Sequence, residues 1–250
     1  MSIKTKLSSK IVIQNDDHVF VLTGAGVSAE SGLATFRGSD GLWEGERVED
    51  VASPRGWKRD PERVWRFYSL RRKAAAAAKP NPAHVALAEL ERKLGDRFFL
   101  CTQNVDDLHE RAGSRNLAHM HGELFKSCCD SCARDPFEDA RLYDTKAAHL
   151  RCKCGGRIRP NIVWFGEVPF QMERIIQELH RCTVMLVVGT SGVVQPAASF
   201  VHWANERYRD GSPAVRTYYV GPEHPANAAA FTQTFEGRAG ELLPRLFAIE

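Results

Sequence analysis

The chain predicts an α/β fold in which a parallel sheet carries helices on both faces. Three observations lead there. Short apolar runs alternate with helical segments, the first run passes straight into glycines, and a cysteine-rich stretch between residues 122 and 160 interrupts the alternation as an insertion would.

Taken in order, residues 18–23 (HVFVLT) are apolar and β-branched, which suits a buried strand. A basic helix is expected over 61–78, opening on Pro61, where a missing N–H costs little, and closing on alanines, the strongest helix formers. KPNP then breaks the chain before a helix over 82–94, in which Val85, Leu87, Leu90 and Leu94 suggest a buried stripe. Residues 97–102 read as a strand, 105–111 as a helix and 116–120 as a strand. Beyond the cysteines, 161–165 (NIVWF) reads as a strand and 171–180 as a helix. The clearest buried strand is 183–189 (TVMLVVG), followed by a helix over 197–209 and a strand over 214–220.

At 250 residues the chain suits one large domain or two modest ones. Its 34 basic and 31 acidic residues leave a net charge of +3, without the basic excess of a dedicated nucleic-acid binder, so no direct nucleic-acid partner is expected. No apolar stretch has the length of a membrane helix, and MSIKTKLSSK is not followed by the apolar run of a secretory signal. A cytoplasmic monomer is therefore expected, in a compartment where the seven cysteines serve as metal ligands or buried thiols and not as disulfides.

Residues 24–32 (GAGVSAESG) follow the first strand at once. Glycines there allow a sharp turn and a close approach of N–H groups to phosphates, although a plain tight turn would use them equally well. Hydride-transfer enzymes need a second strand ending in an acidic residue about 20 residues on. This chain has the polar loop TFRGSDGLWEG in that region, and it has no GxxxxGK[ST] loop. Cys129-x-x-Cys132 is a zinc half-site, and Cys152-Lys-Cys154 supplies two more thiolates across a shorter spacing that Gly155 and Gly156 can accommodate. Four thiolates leave no open position, so this zinc would be structural. Cys128 falls outside the set, and Cys101 and Cys182 read as core residues.

The runs GAGVSAESGLATFRG, TQNVDDLHERAG, HMHGE, the paired cysteines, VWFGE and VVGTSG, with the tail EGRAGELLP, together resemble the sirtuin family. The resemblance implies an NAD-dependent protein lysine deacylase with a Rossmann-like domain and a smaller zinc-binding and helical domain. The expected partition puts 1–40, 80–121 and 180–250 in the first, and 41–79 and 122–179 in the second. It also implies site residues. Gly24, Ala25, Gly26 and Glu30 would cradle the nucleotide, with Thr35, Phe36 and Arg37 in a loop over the nicotinamide ribose. Gln103, Asn104 and Asp106 would contact ribose and nicotinamide, Asn104 and Asp106 counting as catalytic beside the base His121. Gly189, Thr190 and Ser191 would form a second nucleotide turn, and Arg238 and Ala239 the adenine end. His119 reads as structural. The chain departs from the family at Gly221, where sirtuins commonly carry an Asn that holds the adenine ribose.

The implied chemistry expels nicotinamide as the substrate's acyl oxygen attacks the ribose, which calls for a site closed to water; a ribose hydroxyl must then lose a proton to a neutral histidine. Acylated-lysine protein substrates would add as a strand between 165–167 and 192–194, engaging Gly166, Glu167, Gly192 and Val193, with Val163 and Phe165 lining the lysine tunnel. Tyr68 and Arg71 share a helix face and resemble the Tyr-x-x-Arg pair of the sirtuin branch that accepts succinyl, malonyl and glutaryl lysine. A desuccinylase that also removes acetyl groups is thus expected. Mono-ADP-ribosyl transfer and a non-catalytic NAD-binding regulator are the alternatives.

Overall fold

The computed structural model describes residues 10–35, 42–43, 45–143, 150–206 and 214–250. Phe36 and Arg37, and the end of the helix expected over 197–209, lie outside the described residues.

Six strands form one parallel sheet in the order Gln233–Glu236, Arg216–Gly221, Val184–Val188, Val19–Thr23, Phe98–Thr102, Leu117–His119. The chain starts at an inner strand, steps outward twice, then returns to the other side of its starting strand and steps outward again. Between Val19–Thr23 and Val184–Val188 the order reverses, which opens a crevice at their carboxyl ends where α/β sheets bind ligands. The period-two alternation along each strand sorts the core into two layers. Val19, Val21, Leu100, Leu186 and Val188 pack against helices Pro82–Leu94 and Ala239–Leu246. Phe20, Leu22, Phe99, Met185 and Val187 face Met172–Arg181 and Phe200–Glu206.

Two expectations need correction. Val85 is 42% exposed, because the inward stripe of its helix runs through Ala83, Leu87, Leu90 and Leu94, and Val85 lies about half a turn away from it. The strand expected over 161–165 is Ile158–Ile162, and it pairs antiparallel with Gly122–Cys129 outside the parallel sheet. A short apolar run cannot by itself tell which sheet will bury it. Sequence reasoning also passed over the parallel pair Ile11–Ile13 and Phe247–Ile249, which joins the two ends of the described chain.

A third core belongs to the inserted segments. Helix Pro61–Ala77 and the antiparallel sheet bury Val64, Trp65, Tyr68, Leu124, Ile158, Ile162 and Trp164 together. Arg72 ties the two parts. Its fully buried guanidinium donates to the carbonyls of Leu124 (2.7 Å), Arg141 (2.8 Å) and Lys126 (3.2 Å), and lies 3.5 Å from the buried Asp139 carboxylate. Replacing Arg72 by Met would leave these acceptors unmet, so a loss of about 3–5 kcal/mol of unfolding free energy is expected in urea titrations; a loss below about 1 kcal/mol would show that the tie is dispensable.

Candidate active site

Two turns meet at the crevice. Gly24 N–H donates to Val188 O (3.0 Å) and Gly26 N–H to Gly189 O (2.8 Å). A Cβ on Gly26 would lie 2.7 Å from Gly189 O, one on Gly24 2.8 Å from Thr190 Cβ, and one on Gly189 2.5 Å from Val27 N. These glycines are needed because the turns touch, and no side chain fits between them. The turn continues as helix Gly26–Ala29, preceded by Ala25. Its neighbour Glu30 reaches the far end of the sequence, accepting from Gly240 N–H at 2.9 Å beside Arg238 and Ala239.

The carboxyl end of Phe98–Thr102 delivers Gln103, Asn104 and Asp106 to the same crevice. Gln103 Nε2 donates to Thr190 Oγ1 (3.2 Å), which links the two halves of the site. Asn104 Nδ2 donates to Ser28 Oγ (3.2 Å), and Ser28 Oγ donates to Asp106 Oδ2 (3.1 Å). Burial pushes the Asp106 carboxyl above its usual range, against the hydrogen bonds from Leu108 N–H and Ser28. Asp106 Oδ1 also accepts from Leu108 N–H (3.2 Å) where helix Leu108–Ala112 begins, three residues later than the sequence suggests.

His121 stands at the end of the next strand. Its Nδ1–H donates to Gln103 O (3.1 Å), so in the neutral ring Nε2 keeps its lone pair. Burial pulls its pKa below the ordinary imidazole value, only partly opposed by that hydrogen bond. His119 behaves differently. Burial opposes its charge, but Nε2–H to Glu110 (2.6 Å) and Nδ1–H to Asn104 O (2.8 Å) outweigh that and raise its pKa. Both ring nitrogens are engaged, and the ring anchors the backbone of Asn104.

Sequence reasoning missed the layer beneath. Asn81 and His84 form a reciprocal cap at the start of Pro82–Leu94, and His84 Nε2–H points at Ser28 Oγ (3.4 Å) while Asn81 Nδ2 donates to Val27 O (2.8 Å). The signal was present, since an Asn three residues ahead of a polar side chain has capping-box spacing.

Tyr68 is fully buried and accepts from Trp164 Nε1–H at 3.1 Å. Arg71, one turn on, is half-buried with its guanidinium 5.6 Å from the Phe67 ring centre. The Glu167 side chain is committed within its own segment, to Arg159 (2.7 and 2.9 Å) and to Trp164 N–H (2.8 Å). Val163 N–H bonds to His121 O (2.9 Å) and Phe165 N–H to Ala52 O (3.0 Å), leaving the Phe165 ring half-exposed. Gly166 and Gly192 have positive φ, and Val193 is 66% exposed.

In the antiparallel module, Cys129 Sγ lies 3.5 Å from Cys154 Sγ and Cys132 Sγ 3.8 Å from Cys152 Sγ, with all four sulfurs within 4.8 Å of one another. A tetrahedral zinc separates its sulfurs by about 3.8 Å, so the set fits a structural zinc. Ser131 and Gly156 N–H groups point at the Cys129 and Cys154 sulfurs (3.4 Å each), and Gly155 at φ +89° lets the short Cys-x-Cys turn close. Cys128 lies outside the set, and Cys101 and Cys182 are buried, as their apolar surroundings suggested.

Fold and site therefore define an α/β enzyme that binds a dinucleotide at its switch point and carries a zinc module. A family model described as the Sir2 family matches residues 24–196. An NAD-dependent protein deacylase of Shewanella oneidensis is 46% identical over 92% of each chain, and one of Salmonella typhimurium is 49% identical over 93% of this chain and 83% of its own. A Sir2 homologue solved with NAD superimposes with TM-score 0.82 at 43% identity, covering 93% of this chain and 89% of that one. Sir2Af2 bound to a myristoylated histone peptide does so with TM-score 0.68 at 33% identity, covering 92% and 89%. The chain belongs to the Sir2 family, the sirtuins. It is an NAD-dependent protein deacylase. The amides of Gln103 and Asn104 and the hydroxyls of Thr190 and Ser28 around the paired turns fit the hydroxyl-rich NAD molecule. Among the described residues no helix is long and apolar enough to cross a membrane.

Cys132→Ser is expected to lower the bound zinc from one per chain towards none and to reduce the melting temperature, with metal analysis and calorimetry as the checks. Full zinc retention would show that the four-sulfur assignment is wrong.

Proposed function

We propose that this deacylase acts on cytoplasmic proteins whose lysines carry acyl groups ending in a carboxylate, succinyl and malonyl above all, and that it also removes acetyl groups. One observation carries the preference. The Tyr68 phenol accepts from Trp164, so its own proton remains available for an acyl carboxylate, and the Arg71 charge acts on the same hydroxyl. Burial pushes the phenol up to about 12, which keeps that proton in place.

In this reading NAD supplies the activated ribose carbon from which nicotinamide departs. Asn104 and Asp106 orient the nicotinamide end, braced by Ser28. Thr35 belongs to the run assigned to the nicotinamide ribose, Gly24, Ala25, Gly26 and Glu30 with Gly189, Thr190 and Ser191 line the nucleotide cleft, and Arg238 and Ala239 its adenine end. His121 Nε2 takes the ribose hydroxyl proton, because Nδ1–H is engaged with Gln103 O and burial keeps the ring neutral. The acyl-lysine peptide lies along 165–167 and 192–194, where Phe165 and Val193 offer exposed apolar surface, with Val163 beside the lysine chain.

The neutral ring of His121 is lost on acidification. Its lowered pKa places the acid limb of kcat/KM below the ordinary imidazole value, and His121→Asn should abolish that limb and cut kcat about 100-fold or more. A limb centred above that value would exclude His121 as the base. Tyr68→Phe combined with Arg71→Met should lower kcat/KM for a succinyl-lysine peptide about tenfold to a hundredfold, and that for the matched acetyl peptide far less. Equal losses on both peptides would remove the carboxylate preference and leave a general deacylase.

A further inference from the structure

His121, Asn104 and Asp106 stand at the carboxyl ends of Phe98–Thr102 and Leu117–His119, on one side of the switch point. The nicotinamide half of NAD reacts there, so the adenosine half must cross to the carboxyl ends of Val184–Val188, Arg216–Gly221 and Gln233–Glu236. At the end of the middle one of these strands the chain has Gly221. Its φ is unremarkable, so the glycine is not there for backbone freedom. What it provides is space. Residues two apart on a strand share a face, and the Tyr219 side chain extends over Gly221. A Cβ on Gly221 would overlap the Tyr219 hydroxyl and lie 2.7 Å from Cζ. The ring is held against Phe231 (centroids 5.6 Å apart), and its O–H donates to Thr190 O at 3.1 Å, in the turn that meets Gly24. A phenol oxygen that donates once still has acceptor capacity.

We propose that the Tyr219 hydroxyl, admitted by the missing side chain at Gly221, binds the adenosine-side ribose of NAD by accepting one of its hydroxyl protons. Tyr219 then performs from within the strand a contact that would otherwise require a polar side chain at 221. Burial pushes the phenol up to about 12, so the group is the neutral hydroxyl throughout the working range. The contact is to the cofactor, and it stands whichever acyl group the enzyme prefers.

Calorimetric titration with ADP-ribose tests this without turnover. Tyr219→Phe should weaken binding about threefold to tenfold, the effect of one neutral hydrogen bond. The wild type should bind ADP-ribose lacking the adenosine-side 2′- or 3′-hydroxyl more weakly by a similar factor. For one of these two analogues the variant should show no additional loss, a coupling that a merely structural tyrosine would not produce. Unchanged affinity of Tyr219→Phe for ADP-ribose, or losses that multiply for both deoxy analogues, would overturn the assignment. So would equal binding of all three ligands by the wild type, a result that does not depend on how the variant folds.

Discussion

The contact between the turn at Gly24–Gly26 and the turn at Gly189 is the constraint on which the site depends. Gly26 N–H to Gly189 O, at 2.8 Å, joins the loops that leave the two strands flanking the switch point. With side chains at these positions the loops would be forced apart, since a Cβ on any of the three would fall within 2.5–2.8 Å of an atom of the opposite turn. Parting them would move Thr190 away from Gln103 and so separate the two sides of the crevice. The glycine-rich run thus works chiefly by close backbone approach.

Below that contact lies a polar layer that the apolar sheet has to accommodate. Thr23, Thr102 and His109 are joined by bonds of 2.9 and 3.0 Å, and Ser28, Asn104, Asp106 and His84 by a second set. Burial drives His84 down to about 4 and His109 well below the ordinary value, so both rings are neutral and supply directed hydrogen bonds without charge. In a low-dielectric layer such bonds are strong, and any group left unmet is costly. That favours one geometry for the residues lining the crevice.

The inserted segments solve a different problem. A helix and a three-stranded sheet are too small to bury much surface alone, so they share a core rich in tryptophan, with the buried Arg72 beside it and Cys129, Cys132 and Cys152 packed into it. Trp164 joins this support to the site. The Arg159 guanidinium stacks 3.4 Å from its ring centre, Arg159 is gripped by Glu167, and the indole N–H holds Tyr68. Glu167, read from its place in VWFGE as a peptide contact, therefore also braces the segment that presents Phe165.

The sequence by itself determined the strand–helix alternation, the glycine turn, the cysteine set and the family, because these depend on period, spacing and residue type. Runs such as HVFVLT and TVMLVVG are apolar at every position since both faces of a parallel sheet are covered, and that is visible without coordinates. Only the tertiary structure decided where NIVWF pairs, which way Val85 faces, and that Glu30 meets Gly240 across 210 residues of chain. It alone relates Gly221 to Tyr219. A sequence marks the glycine as a missing side chain, but whether the space stays empty or takes a neighbour's ring depends on rotamer and on packing against Phe231, and both are settled when the layers close.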